Sequence, residues 1–128
     1  MNYLLDTSAL ISGIWTDHES HMTAKAWLRD KSVVVCPLVT LGFRRVSTHR
    51  HGPVKVSMPE ARRVLNAFLQ ERQAGFISDD LPPLESQPAE SSQVTDAYLA
   101  DLAHRHDLRL ATLDQGTDHP AVDVITAG

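Results

Sequence analysis

The sequence predicts an α/β fold on a mostly parallel sheet, and two observations predict it. Five short runs with strand character recur along the 128 residues, and stretches of helical periodicity occupy the intervals between them. Strands alternating with helices connect through right-handed crossovers, which put the strands' carboxyl ends on one side of the sheet. Ligands of such sheets bind outside those ends, where the strand order reverses. Chemistry is therefore expected at that edge.

The first strand is Tyr3 to Leu5, in the opening MNYLLDTSAL, and it drives straight into a carboxylate, Asp6, followed by Thr7-Ser8. A carboxylate at the end of a buried strand needs water, a donor or a cation to stay charged. In HMTAKAWLRD, Ala24, Trp27 and Leu28 mark one helical face. Val33 to Cys36 is the second strand. A helix follows from Leu38 to Thr48, with Leu38, Leu41, Phe43 and Val46 expected inward. The next helix is the best marked. Ser57 and Glu60 form a capping box, Pro59 sits in the first turn, Val64, Leu65, Phe68 and Leu69 make the apolar stripe, and Gly75 is the expected stop. Gly75 to Ser78 is a weak third strand, and the proline-rich DLPPLESQPAES is a loop too short to link domains. A last helix starts near Ser91 or Ser92, turns Val94, Tyr98, Leu99 and Leu102 inward, and ends in His104, Arg105 and His106, which suit the negative end of its dipole. Leu108 to Leu113 and Val122 to Ile125 complete the strands.

The composition is that of a globular protein, 42% hydrophobic and 22% charged, and one domain spanning residues 1–128 is expected. The single cysteine, Cys36, lies in the apolar run VVVC, so a buried thiol, no internal disulfide and a reducing cytoplasm are expected. There is no basic-then-apolar leader and no apolar run near the ~18 residues of a membrane helix. A net charge of −4 does not advertise nucleic-acid binding, yet half of the twelve Lys and Arg lie between Arg44 and Arg63, opposed only by Glu60. That cluster reads either as solvated helix faces or as a phosphate-binding flank.

Four carboxylates are candidates for the sheet edge. Asp6 ends the first strand, Asp114 ends the strand LRLATL, Asp96 falls in the first turn of the preceding helix, and Asp118 follows in the next loop. Each has a simpler reading as a helix cap, a first-turn residue or a turn aspartate. Asp101, five positions beyond Asp96, is expected to be solvated. Converging carboxylates would raise one another's pKa, and a hard cation such as Mg²⁺ or Mn²⁺ would resolve the conflict. That combination suits attack of a metal-activated water on a phosphodiester. Zinc is disfavoured, because His18 and His21 have compatible spacing but no third His or Cys nearby. No P-loop, dinucleotide or nucleophile-elbow motif is present.

With these residues assembled, the chain resembles the PIN-domain family and, within it, VapC-type toxin ribonucleases. The landmarks are LLDTSAL, CPL…GFRRV, VTDAYLADLA and LATLDQG, in that order over nearly the whole length. The resemblance implies a three-layer α/β/α sandwich around a mostly parallel, about five-stranded sheet. It also implies a Mg²⁺- or Mn²⁺-dependent endoribonuclease that forms a homodimer and is silenced by an antitoxin encoded beside it. Asp6, Asp96 and Asp114 match the family's metal and catalytic positions, and Asp118 a more variable metal position. Ser8 and Arg45 match places where RNA or antitoxin contacts are expected. One position departs from the pattern. Where the family usually has a glutamate, two residues before Gly-Phe, this chain has Thr40, a neutral and weaker ligand that can still orient a water. Three consequences stay open: a nuclease with a reduced ligand set, a substitute carboxylate from elsewhere, or a weakened or non-catalytic module that binds antitoxin or RNA.

Overall fold

Strand β1 (Asn2–Leu5) lies at the centre of a five-stranded sheet, between β2 (Ser32–Val35) and β4 (Arg109–Thr112), with β3 (Gly75–Phe76) and β5 (Val122–Val124) at the edges. Each adjacent pair is parallel, and Leu4 stands opposite Val34 on one side and Leu110 on the other. The computed structural model describes residues 2–52, 54–84, 88 and 93–127. Its helices are α1 (Thr7–Ile14), α2 (His21–Leu28), α3 (Pro37–Thr48), α4 (Met58–Glu71) and α5 (Val94–Arg105).

The strand order β3-β2-β1-β4-β5 dictates the layers. From β1 to β3 the chain moves outward in one direction, so right-handed crossovers lay α1 to α4 on one face. It returns through α5 to β4 in the opposite direction, and the same handedness puts α5 on the other face. Accordingly α1 packs on α2, α3 and α4, while α5 packs on β1 and β4. Leu4 and Leu5 are fully buried together with Leu10, Val35, Leu99, Leu102 and Leu110, as a central parallel strand covered on both faces requires. Cys36 is buried too, and burial pushes its thiol pKa up to about 12, which leaves it unreactive. No helix among the described residues is long and apolar enough to cross a membrane.

Several local expectations need correction. In α3 the inward face is Val39, Phe43 and Ser47, whereas Leu38 and Leu41 are exposed at 38% and 60%. The phase is set by Trp15, whose ring stacks on Phe43 with centroids 5.8 Å apart and whose Nε1 donates to the buried Ser47 Oγ at 2.9 Å. A serine holding a core position defeats a reading based on apolar spacing. In α5 the buried face is Leu99, Ala100, Leu102 and Ala103, and Val94 is exposed. The expected start at Ser91 or Ser92 lies outside the described residues. Helix α4 begins as predicted, with Ser57 Oγ accepting from the Glu60 N–H at 3.3 Å, but the Glu60 carboxylate turns to Arg63 instead of closing the box. Gly75 is not its stop. Gln73 takes the left-handed turn at φ 50° and Gly75 already belongs to β3. Asp101 is half-buried rather than solvated, 2.8 Å from His119 Nε2.

Gly42 sits where α3 passes the start of α1, and an added Cβ there would come within 2.5 Å of Thr7 Oγ1 and 3.3 Å of Thr7 Cγ2. Gly42→Ala should therefore destabilise the fold by about 1–3 kcal/mol, as overpacking does, despite the better helix propensity of alanine. Urea unfolding checks this, and Thr7→Ser in the same chain should recover part of the loss.

Candidate active site

The sheet reverses its strand order between β1 and β4, and the polar residues of the carboxyl edge gather there. Asp6 follows β1 and is 3% exposed. Its Oδ1 accepts from the Ala9 N–H at 2.8 Å, which caps α1, and from Ser8 Oγ at 2.7 Å. Its Oδ2 accepts from Thr112 Oγ1, at the end of β4. Ser8 and Thr112 also receive backbone donors from the following loop: Leu113 N–H reaches Ser8 Oγ at 3.2 Å and Asp114 N–H reaches Thr112 Oγ1 at 3.0 Å. Two hydroxyls thus stitch the ends of β1 and β4 together around one carboxylate. The simpler reading of Asp6 as a helix cap and the reading as a site residue are both realised in one side chain.

Asp96 stands in the first turn of α5, and its carboxyl is within hydrogen-bonding reach of Asp114. Thr117 Oγ1 lies 3.5 Å from Asp96 Oδ2. Asp114 is exposed and its Oδ1 accepts the Gly116 N–H at 2.8 Å, so the turn-aspartate reading also holds. Gln93 donates its side-chain amide to the Gly116 carbonyl, which ties the start of α5 to the loop after β4.

Crowding has an electrostatic consequence. Burial, the shared hydrogen bond with Asp114 and the charges of Asp6 and Asp114 push the Asp96 pKa up to about 7. Burial raises the Asp6 pKa as well, against the lowering effect of its three hydrogen bonds. The Asp96 carboxyl thus feels the charges of Asp6 and Asp114 together, and Asp6 feels that of Asp114.

Of the other expected residues, Ser8 joins the group through Asp6, while Asp118, Thr40 and Arg45 make no hydrogen bond to it among the described residues. Asp118 is exposed, and among the described residues no hydrogen bond ties it to the group. Thr40 is in the first turn of α3, and its hydroxyl donates to the Pro37 carbonyl at 3.0 Å, close also to that of Cys36. Two carboxylates weighed as substitutes are seen beyond the end of β3. Asp79 accepts the Leu38 N–H at 3.1 Å, and Asp80 pairs with His106 and Arg105. Arg45 is exposed. Sequence reasoning missed Thr112 and Thr117. A threonine inside an apolar strand is an ordinary β-former, so only the strand pairing reveals that Thr112 meets Asp6.

The donor atoms suit a hard cation. A carboxylate has about four lone-pair positions; among the described residues three on Asp6 are taken, leaving one on Oδ2, while Asp114 accepts one backbone N–H, on Oδ1. All the available donors are oxygens, the ligands preferred by Mg²⁺ and Mn²⁺. Among the described residues the acids do not already form a closed cluster of three ligands.

A parallel sheet with its acids at the switch point defines an α/β protein of the nuclease-like PIN architecture, and the PIN domain family matches residues 3–123. The chain belongs to the PIN-domain family, in its VapC group. It is 35% identical to Ribonuclease VapC38 of Mycobacterium tuberculosis over 120 residues, which cover 88% of this chain and 85% of the relative. Ribonuclease VapC29 from the same organism is 36% identical, with 97% and 94% covered. Ribonuclease VapC44 is 33% identical, with 95% and 92% covered. The fold matches the crystal structure of VapBC2 from Rickettsia felis bound to a DNA fragment from their promoter, with TM-score 0.62, 13% identity and 97% of each chain covered.

The raised Asp96 pKa makes stability depend on pH. From its ordinary value of 3.8 up to about 7, the folded chain holds a proton that the unfolded chain has released. Stability therefore falls as pH rises across that window, the contribution being complete below it and lost above it. In EDTA, Asp96→Asn should flatten this slope and give a higher urea midpoint than the wild type at pH 8, with the two close together near pH 4. An unchanged slope in the variant would remove Asp96 as its origin.

Proposed function

We propose that this chain is a Mg²⁺- or Mn²⁺-dependent endoribonuclease and the toxin of a toxin–antitoxin pair. The observation that carries the reading is the meeting of Asp6, Asp96 and Asp114 at the switch point of the sheet, with Asp96 pushed up to about 7. The three relatives are named ribonucleases, which supplies the substrate class. Asp6, Asp96 and Asp114 would hold the cation, with Asp118 at most an outer contributor. A bound divalent ion would neutralise phosphate charge and make water a better nucleophile.

The chain's own residues have definable tasks. Ser8 and Thr112 hold the Asp6 carboxylate in one orientation, and the Ala9 N–H fixes it from the helix side. Gln93 holds the loop carrying Asp114 against the start of α5, which carries Asp96. The phosphodiester is hydrolysed by water, so Ser8 serves to position Asp6 and not to attack phosphorus. The protein is read as cytoplasmic, where RNA and a neighbouring antitoxin are at hand. A homodimer is part of the reading, and the exposed Leu38, Leu41 and Val94 are side chains that such an interface could cover.

A second reading rests on Thr40. Its hydroxyl hydrogen goes to the Pro37 carbonyl of its own helix and the position brings no carboxylate charge, which favours a weakened or non-catalytic PIN module that binds antitoxin or RNA. Expression of the chain alone separates the two: growth arrest follows from the nuclease, unimpeded growth from the module.

Purified protein should cleave structured RNA with Mg²⁺ or Mn²⁺ and stop in EDTA. Asp6→Asn should lose at least about a hundredfold in rate, the scale of losing one oriented charge-stabilising group. Cleavage that continues undiminished in Asp6→Asn would exclude this site. Thr40→Glu should tighten Mn²⁺ binding by about tenfold or more, since a unit charge at 4 Å is worth on the order of 1–4 kcal/mol near a protein surface. Calorimetric titration reads that change, and equal affinities would refute it.

A further inference from the structure

The carboxylate edge repels RNA, and a net charge of −4 offers no general attraction for a polyanion. A chain of this kind needs a local cationic anchor for its substrate. The six cations between Arg44 and Arg63 are its densest group, and the fold brings three of them to one place. Helices α3 and α4 pack against each other and leave a notch of about 530 Å³ lined by Arg44, Arg62, Arg63, Asn66, Met58 and Pro59. No acid is among the described residues that line it, and Glu60, one position from Pro59, has its carboxylate engaged by Arg63 in an exposed pair one turn apart on α4.

Arg44 distinguishes this notch from an ordinary basic surface. Its Nε is buried, and among the described residues it has no hydrogen-bond partner. An unsatisfied buried donor costs about 1–3 kcal/mol, more when charged, a cost that an acceptor brought into the notch would lower. A guanidinium presents its N–H groups as a planar fork that fits two oxygens of one phosphate. Asn66 offers further amide donors from α4.

Position also matters. Arg44 is four residues after Thr40 on α3, which places the two on one helix face with Cβ atoms about 5–6 Å apart. Thr40 lies in the first turn of the helix that follows β2, the neighbour of β1 in the sheet. A strand of RNA laid on the carboxylate edge therefore passes the notch within a turn of helix. The expected contact, Arg45, is exposed and has no such setting.

We propose that the α3–α4 notch is a second phosphate subsite, in which Arg44 and Arg62 grip an RNA phosphodiester flanking the one that is cleaved. The proposal rests on the nuclease reading for its substrate, but its binding step is independent of cleavage. The probe is a 2′-O-methyl oligouridylate, which offers the phosphates of a single strand and resists hydrolysis. Binding is measured at several salt concentrations for the wild type, Arg44→Met and Arg62→Ala. Arg44→Met keeps the apolar stem and removes the charge. Arg62 is exposed, so its variant tests the site without disturbing packing.

Each variant should lose about fivefold or more in affinity, and the slope of log K against log salt should shrink by about 0.7, the value of one single-strand phosphate contact. Unchanged affinity and slope in both variants would overturn the subsite, as would failure of the wild type to bind the probe. Loss of binding to a polyglutamate peptide, with probe binding intact, would assign the notch to an acidic protein partner and overturn it equally. If the wild type binds the probe with these slopes but cleaves no RNA, the nuclease reading fails while the subsite stands.

Discussion

The structure depends on one buried carboxylate. Asp6 ends the central strand almost wholly out of water, and three donors make that tolerable: a helix N–H and the hydroxyls of Ser8 and Thr112. Removing any of them would leave a charged oxygen in a setting where unsatisfied polar atoms are expensive. The same bonds do structural duty. They start α1, join the ends of β1 and β4, and orient the loop that presents Asp114. The fold's switch point and the site's anchor are one network.

That network also explains why the acids are poised rather than satisfied. The donors saturate most of Asp6 but leave the repulsion among Asp6, Asp96 and Asp114 unrelieved, so protons take up the excess and the Asp96 pKa rises. Cationic counterparts stand outside the cluster, on α3 and α4. Separation of this kind is sensible for an acidic protein whose proposed substrate is a polyanion: on that proposal the acidic edge would gather a cation from solution, while a fixed guanidinium would supply attraction a helix turn away.

Much of the architecture was legible in the residues. The five strands, the parallel alternation and the capped start of α4 follow from apolar runs and Ser57-Met58-Pro59-Glu60, because these signals are local in the chain. Local signals failed where a contact from another element decided the outcome. The inward phase of α3 follows Trp15, which reaches Phe43 and Ser47 from the end of α1, and no spacing rule contains that information. Likewise Asp101 meets His119 across a loop, and Gln73, not Gly75, turns the chain after α4.

The site divides in the same way. By itself the sequence determined the acidic residue types, their places at strand ends and a helix start, and the neutral Thr40, since these depend only on which residue follows which. Tertiary structure alone decided that Asp96 meets Asp114, that Thr112 is the partner of Asp6, and that Arg44 rather than Arg45 carries a buried donor with no partner among the described residues. The physical reason is that hydrogen-bond partnership and desolvation arise between segments distant along the chain, and they exist only once the crossovers have brought β1, β4, α3 and α4 together.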